Sequence, residues 1–152
     1  MQQLISLGKK VRRRIPFNPE HPESEKNIKN ISEILEKAER AYRESNIKDC
    51  VKYYREICTL YENIEDFCTS SYFHKRCLDY SKRYKYINGE IDSLVGLGKC
   101  EEMVFNINKS MEYMQKAFEV AMKNDLNPMA KAISQYLTTV YEGVASEYEQ
   151  NG

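Results

Sequence analysis

Glycine and proline are scarce. The 152 residues hold six Gly and four Pro, and Pro16, Pro19 and Pro22 all fall in the first 22. Beyond them only Pro128 interrupts the chain. So few breakers among many Lys, Glu, Leu, Tyr and Met point to helices. Strict apolar–polar alternation is also missing, so no sheet is expected. No apolar run approaches the roughly 18 residues of a membrane span, which excludes membrane insertion by a helix. The cysteines (Cys50, Cys58, Cys68, Cys77 and Cys100) are odd in number, form no Cys-x-x-Cys and follow no recognisable secretory signal. They read as reduced thiols of a cytoplasmic protein, not as a disulfide framework. Two His and five scattered Cys give no zinc spacing, so no metal and no cofactor is expected.

Net charge is zero but unevenly placed. Residues 1–17 carry Lys9, Lys10, Arg12, Arg13 and Arg14 and no acid, so the rest of the chain sums to −5. The stretch "IPFNPEHPE" cannot be a helix interior, because each proline removes a donor and disfavours helix at the residue before it. Residues 1–26 therefore read as an extended basic, proline-rich arm, and 27–149 as the folded domain. The arm is Arg-rich and acid-poor like a mitochondrial presequence, but it lacks that segment's serines and runs into prolines. The run "KKVRRR" is either a solvated tail or an anchor to an acidic partner such as tubulin or an acidic coiled coil.

Apolar residues at 3–4 spacing predict helices near 25–45, 48–62, 66–84, 90–104, 107–124 and 127–148. The stretches "ESNIKD", "ENIED" and "INGE" read as turns. Asn106 is expected to cap the fifth helix, and Asn127-Pro128 to open the sixth as N-cap and first helical residue.

Internal similarity recurs with a 40-residue period. Cys58, Gly98 and Thr138 align, as do Tyr61 and Tyr141 with Glu101 between them. Ser70 aligns with Ser110, His74 with Met114, Cys77 with Ala117, and Ser81 with Ala121. Such a pattern suits stacked helical hairpins, in which small residues admit close approach and large ones fill the gap to the next hairpin. Leu97-Gly98, Ser110, Met114 and Ala117 form one match, and Ile57-Cys58, Tyr61, Ser70, His74 and Cys77 a second. With Leu137-Thr138 and Tyr141 repeating the first half, the sequence resembles the tetratricopeptide-repeat family. Glu101 at the aromatic position, Thr138 for Gly and the long repeat depart from that family's commoner pattern. The stretches "AERAYRESNIKDC" and "SSYFHKRCLDYSK" most resemble its longer-repeat members, among them ciliary and axonemal proteins associated with dynein arms.

That resemblance implies an all-α, right-handed superhelical array of antiparallel hairpins, about six helices. It also implies a groove lined by the first helix of each hairpin. The corresponding positions are Lys52, Arg55, Thr59 and Glu62, then Asp92, Val95, Lys99 and Glu102, then Gln135, Thr139 and Glu142. The alternative is that these are ordinary solvent-facing positions. Thr59 and Gly96 stand where chaperone-binding members need Asn, so that clamp for acidic tails is not expected.

Other chemistry fares less well. "SLVGLGKC" ends like a phosphate-binding loop, but Ser93 stands where the first Gly is needed and Cys100 where Ser or Thr would hold magnesium. His74 and Cys77 lie three apart on one helix and could form a nucleophile pair, yet both fall on packing positions. The twelve tyrosines sit largely on helices, and an acidic body opposes nucleic acid. The expectation is a non-catalytic scaffold bound to other proteins, candidate partners being tubulin or dynein-associated coiled coils. It would be a structural subunit of a ciliary or axonemal assembly. The alternatives are a soluble peptide adaptor and, remotely, a Cys/His enzyme.

Overall fold

A computed structural model describes residues 23–151. The basic-arm residues Lys9, Lys10, Arg12, Arg13 and Arg14 lie outside them. The described chain is six helices with no strand: α1 (Glu23–Arg43), α2 (Ile47–Asn63), α3 (Phe67–Arg83), α4 (Ile87–Met103), α5 (Ile107–Lys123) and α6 (Asn127–Asn151). Each helix packs against the next in sequence. This is the expected array of helical hairpins.

The four inner helices are each 17 residues long. Turns of equal length separate them, so their starts at Ile47, Phe67, Ile87 and Ile107 are evenly spaced, at half the sequence repeat. The five turns share one hydrogen-bond scheme. Asn46, Asp66, Tyr86, Asn106 and Leu126 donate their N–H back to the carbonyls of Ala41, Tyr61, Ser81, Glu101 and Ala121, at 2.8–2.9 Å. The residue before each of them takes the left-handed conformation: Ser45 (φ 60°), Glu65 (61°), Lys85 (56°), Phe105 (63°) and Asp125 (56°). This is the six-to-one closure of a helix C-terminus, and glycine is its usual left-handed residue. Here no glycine fills it. The same residue that closes one helix opens the next, because its own carbonyl accepts from the N–H four residues on, as in Cys50 to Asn46 and Ser70 to Asp66. Asn46 and Asp66 add side-chain caps, accepting from the N–H of Asp49 and Thr69.

Several local expectations need correction. The turn is Tyr84-Lys85-Tyr86, not "INGE". Gly89 lies inside α4, where a Cβ would overlap Ser81 Oγ and the Tyr86 ring, so its role is close packing of α4 on α3. Asn106 stands at the cap position of α5 but makes no side-chain cap bond. Asn127 is already helical, so Pro128 is the second residue of α6 and not the first. The first helix starts at Glu23, inside the stretch assigned to the arm.

The core has two parts. In the first, spanning α1–α3, the Phe73 ring lies between Tyr54 and Tyr61, both centroids 5.9 Å away. In the second, spanning α4–α6, Ile91, Leu94 and Met114 pack with Ala117, Ala121 and Ile133. Burying each large side chain contributes about 1.5–3 kcal/mol, which holds helices of modest intrinsic propensity together.

Candidate functional site

The alternate helices α2 and α4 face one another across an open groove of about 540 Å³. Lys52, Arg55, Thr59 and Glu62 line it from α2, and Asp92, Val95 and Lys99 from α4. The 40-residue frame thus brings seven of the expected groove residues to one place. Arg55 Nη1 donates to Asp92 Oδ2 at 3.1 Å and ties the two walls together. Arg55 is exposed and Asp92 partly so, and such a solvent-screened pair contributes under about 1 kcal/mol to stability. Thr59 Oγ1 donates to the Arg55 carbonyl one turn back, at 3.1 Å.

Glu62 and His74, which line this groove, belong to a polar cluster that local sequence does not announce; its third member, Cys100, borders a separate pocket with Phe67, Ser71 and Tyr72. His74 from α3 sits at hydrogen-bond distance from Glu62, Nε2 to Oε1 3.1 Å. Cys100 from α4 donates its thiol to the same Glu62 Oε1 at 3.5 Å and contacts Ser70 Oγ at 3.6 Å. His74 is buried, and its Nδ1 has no hydrogen-bond partner. The ring fits because Gly96 has no side chain: a Cβ there would overlap the imidazole. Burial pushes the Glu62 carboxyl up, but the hydrogen bonds and charge of His74, with help from Ser70 and Cys100, outweigh it and hold Glu62 below its usual value. Burial dominates at Cys100 and pushes its thiol up.

The sequence places Glu62 among the groove positions and His74 among the packing positions, while Cys100 is one scattered thiol of five. The three belong to three different helices and are distant in the chain, so no short spacing rule joins them. The available signal is the repeat itself. The frame equates α2 with α4 and so places Glu62 and Cys100 near the C-terminal ends of equivalent helices, but Glu62 corresponds to Glu102, two residues from Cys100.

The third wall differs from expectation. The groove between α4 and α6, about 280 Å³, is more apolar and is lined from α6 by Met129, Ala132, Ile133 and Tyr136. Gln135, Thr139 and Glu142 are exposed and do not line it. Its α6 lining lies about one helical turn nearer the N-terminus than the α2 frame implies. Glu102 is half-buried and lines neither groove.

Among the packing positions, Cys58, Tyr61, Cys77, Leu97, Gly98, Ser110, Met114 and Ala117 are all buried. A Cβ at Gly98 would stand 3.0 Å from Met114 Cε and 3.2 Å from the Ser110 carbonyl oxygen. Thr138 and Tyr141 are not packing residues. Both are exposed, because no described helix follows α6 to receive that face. Thr138 Oγ1 donates instead to the Ser134 carbonyl. Glu101, at the aromatic position, is largely buried and pairs with Lys109 of α5 at 3.8 Å. The Cys77 thiol points to the Val51 carbonyl at 3.8 Å, and burial pushes it up to about 12.

No protein-family model matches the chain, and no curated protein matches it.

Proposed function

We propose that this chain is a non-catalytic interaction scaffold of the tetratricopeptide-repeat kind, and that a polar segment of a partner protein lies in the groove between α2 and α4. The observation that carries the reading is the groove's mixed lining. Lys52, Arg55 and Lys99 stand with Glu56, Glu62 and Asp92 around one open channel. Such a lining offers donors and acceptors along its length, which suits an extended polypeptide with charges of both signs. Cys77 lacks the activated setting a nucleophile needs, which supports a binding role.

The resemblance of "AERAYRESNIKDC" and "SSYFHKRCLDYSK" to axonemal members supports a place in a ciliary assembly, with "KKVRRR" as an anchor to an acidic neighbour such as tubulin. The exposed Met103, Val104 and Phe105 at one turn and the exposed Tyr141 on α6 support burial against further subunits. Crosslinking of the native assembly tests the reading. Links from Lys52 and Lys99 should converge on one partner, and Arg55→Glu with Lys99→Glu should reduce its recovery. Full recovery of every partner by the double variant would remove the groove from the binding surface. Deletion of residues 1–17 should release the chain at lower salt, and unchanged retention would remove the arm's anchoring role.

A further inference from the structure

The convergence of Glu62, His74 and Cys100 is not used by the groove reading. The three come from successive helices α2, α3 and α4, and one donor atom of each lies within 4.8 Å of the others. Imidazole, thiol and carboxylate together are the donor types of zinc. Magnesium and calcium select oxygen alone. Tetrahedral zinc, with bonds of about 2.3 Å to sulfur and about 2.0–2.2 Å to nitrogen and oxygen, spaces its donors about 3.3–3.6 Å apart. His74 Nε2 and Cys100 Sγ already stand 3.1 and 3.5 Å from Glu62 Oε1.

We propose that Glu62, His74 and Cys100 form a zinc-binding site, with the fourth coordination position turned toward the groove. Glu62 and His74 line that groove, so water or a partner side chain reaches the ion from there. On binding, the Cys100 S–H and the His74 Nε2–H give way to zinc–sulfur and zinc–nitrogen bonds: the thiol proton goes to solvent, and the imidazole keeps one proton, on Nδ1, releasing any second one to solvent. Glu62 as carboxylate, Cys100 as thiolate and neutral His74 then balance the two positive charges of the ion. Ser70 Oγ, 3.6 Å from Cys100 Sγ, is placed to support the thiolate from outside. The imidazole is set by packing, since Gly96 makes room for it. Structurally the ion would pin α4, from the second core, to α2 and α3, from the first.

The test uses the full chain stripped by a chelator and titrated with Co²⁺, then Zn²⁺. One equivalent of Co²⁺ should produce tetrahedral visible bands and a thiolate-to-cobalt charge-transfer band, both displaced by Zn²⁺. Cys100→Ser should abolish the charge-transfer band. His74→Gln and Glu62→Gln should each weaken binding beyond the about 10–100-fold that loss of an outer partner costs. Cys68→Ser should leave the spectrum unchanged. Absence of the charge-transfer band in the unaltered protein, or its survival in Cys100→Ser, overturns the site. Should Cys100→Ser fail to fold, X-ray absorption at the zinc edge of the unaltered, zinc-loaded chain decides. One sulfur ligand at about 2.3 Å should appear, and a shell without sulfur overturns the site equally.

Discussion

The imidazole of His74 occupies the space that a side chain at residue 96 would fill. One helix gives up a side chain so that its neighbour can present a buried histidine to Glu62. Gly96→Ala should therefore push the ring out of place and cost about 1–3 kcal/mol, the range for overpacking a closed site. Thermal unfolding measures the loss. The His74 ring resonances should shift in the same variant, and a silent substitution on both counts would contradict the contact.

Gly98 makes a second close approach, this time to α5. Its neighbours are the Met114 side chain, which can yield, and the Ser110 carbonyl, which cannot move without its helix. Gly98→Val should cost about 1–3 kcal/mol in denaturant unfolding. Adding Met114→Ala should recover only part of that, because the backbone contact persists. Full recovery would place the whole clash on the methionine.

Phe105 combines a left-handed backbone with 90 % exposure. A side chain there costs backbone energy and returns little packing. Phe105→Gly should stabilise the isolated chain by about 1 kcal/mol, since glycine is the natural occupant of this helix-ending position. A loss of stability would mean that the phenyl ring packs on the protein after all.

The five thiols should divide sharply. Cys50, Cys58, Cys77 and Cys100 are buried, whereas Cys68 is exposed. Burial pushes Cys50 up to about 12 and raises Cys58, Cys77 and Cys100 as well. At pH 8 a thiol reagent should modify Cys68 rapidly and the other four only as the chain unfolds. More than one rapid equivalent, or a rapid phase that survives Cys68→Ser, would contradict the burial pattern.

The helices were legible because their signals are local. Ile57, Tyr61, Phe73 and Cys77 recur at helical spacing, whereas the caps that form, at Asn46 and Asp66, are not the expected Asn106 and Asn127. The turns were less so, because their left-handed positions carry Ser45, Glu65, Lys85, Phe105 and Asp125 instead of glycine, while Gly89 serves a helix contact. Glycine therefore points past the true turn and into α4. The α2–α4 groove was legible through the 40-residue frame, which equates Lys52 with Asp92 and Thr59 with Lys99. The frame failed at α6, which has a described helix on one side only. Its outer face, with Thr138 and Tyr141, therefore keeps the sequence pattern of a packed helix without the packing. The Glu62–His74–Cys100 cluster was hidden for the opposite reason: its members meet only after three helices have stacked.

The residue that ends each helix also begins the next, so the turns contain no slack. Chain length is consequently quantised. One residue inserted at Leu94 would turn the remainder of α4 by about 100° against α3 and α5, as the 3.6-residue helical turn dictates. Removing a single helix with its turn would restore helix placement but bring the small-residue faces of α3 and α5 against the wrong surfaces. Only the gain or loss of a full hairpin, two helices with both their turns, would leave the stacking and the chemistry of each face in step. Growth or loss of this array by whole hairpins is the one length change its architecture tolerates.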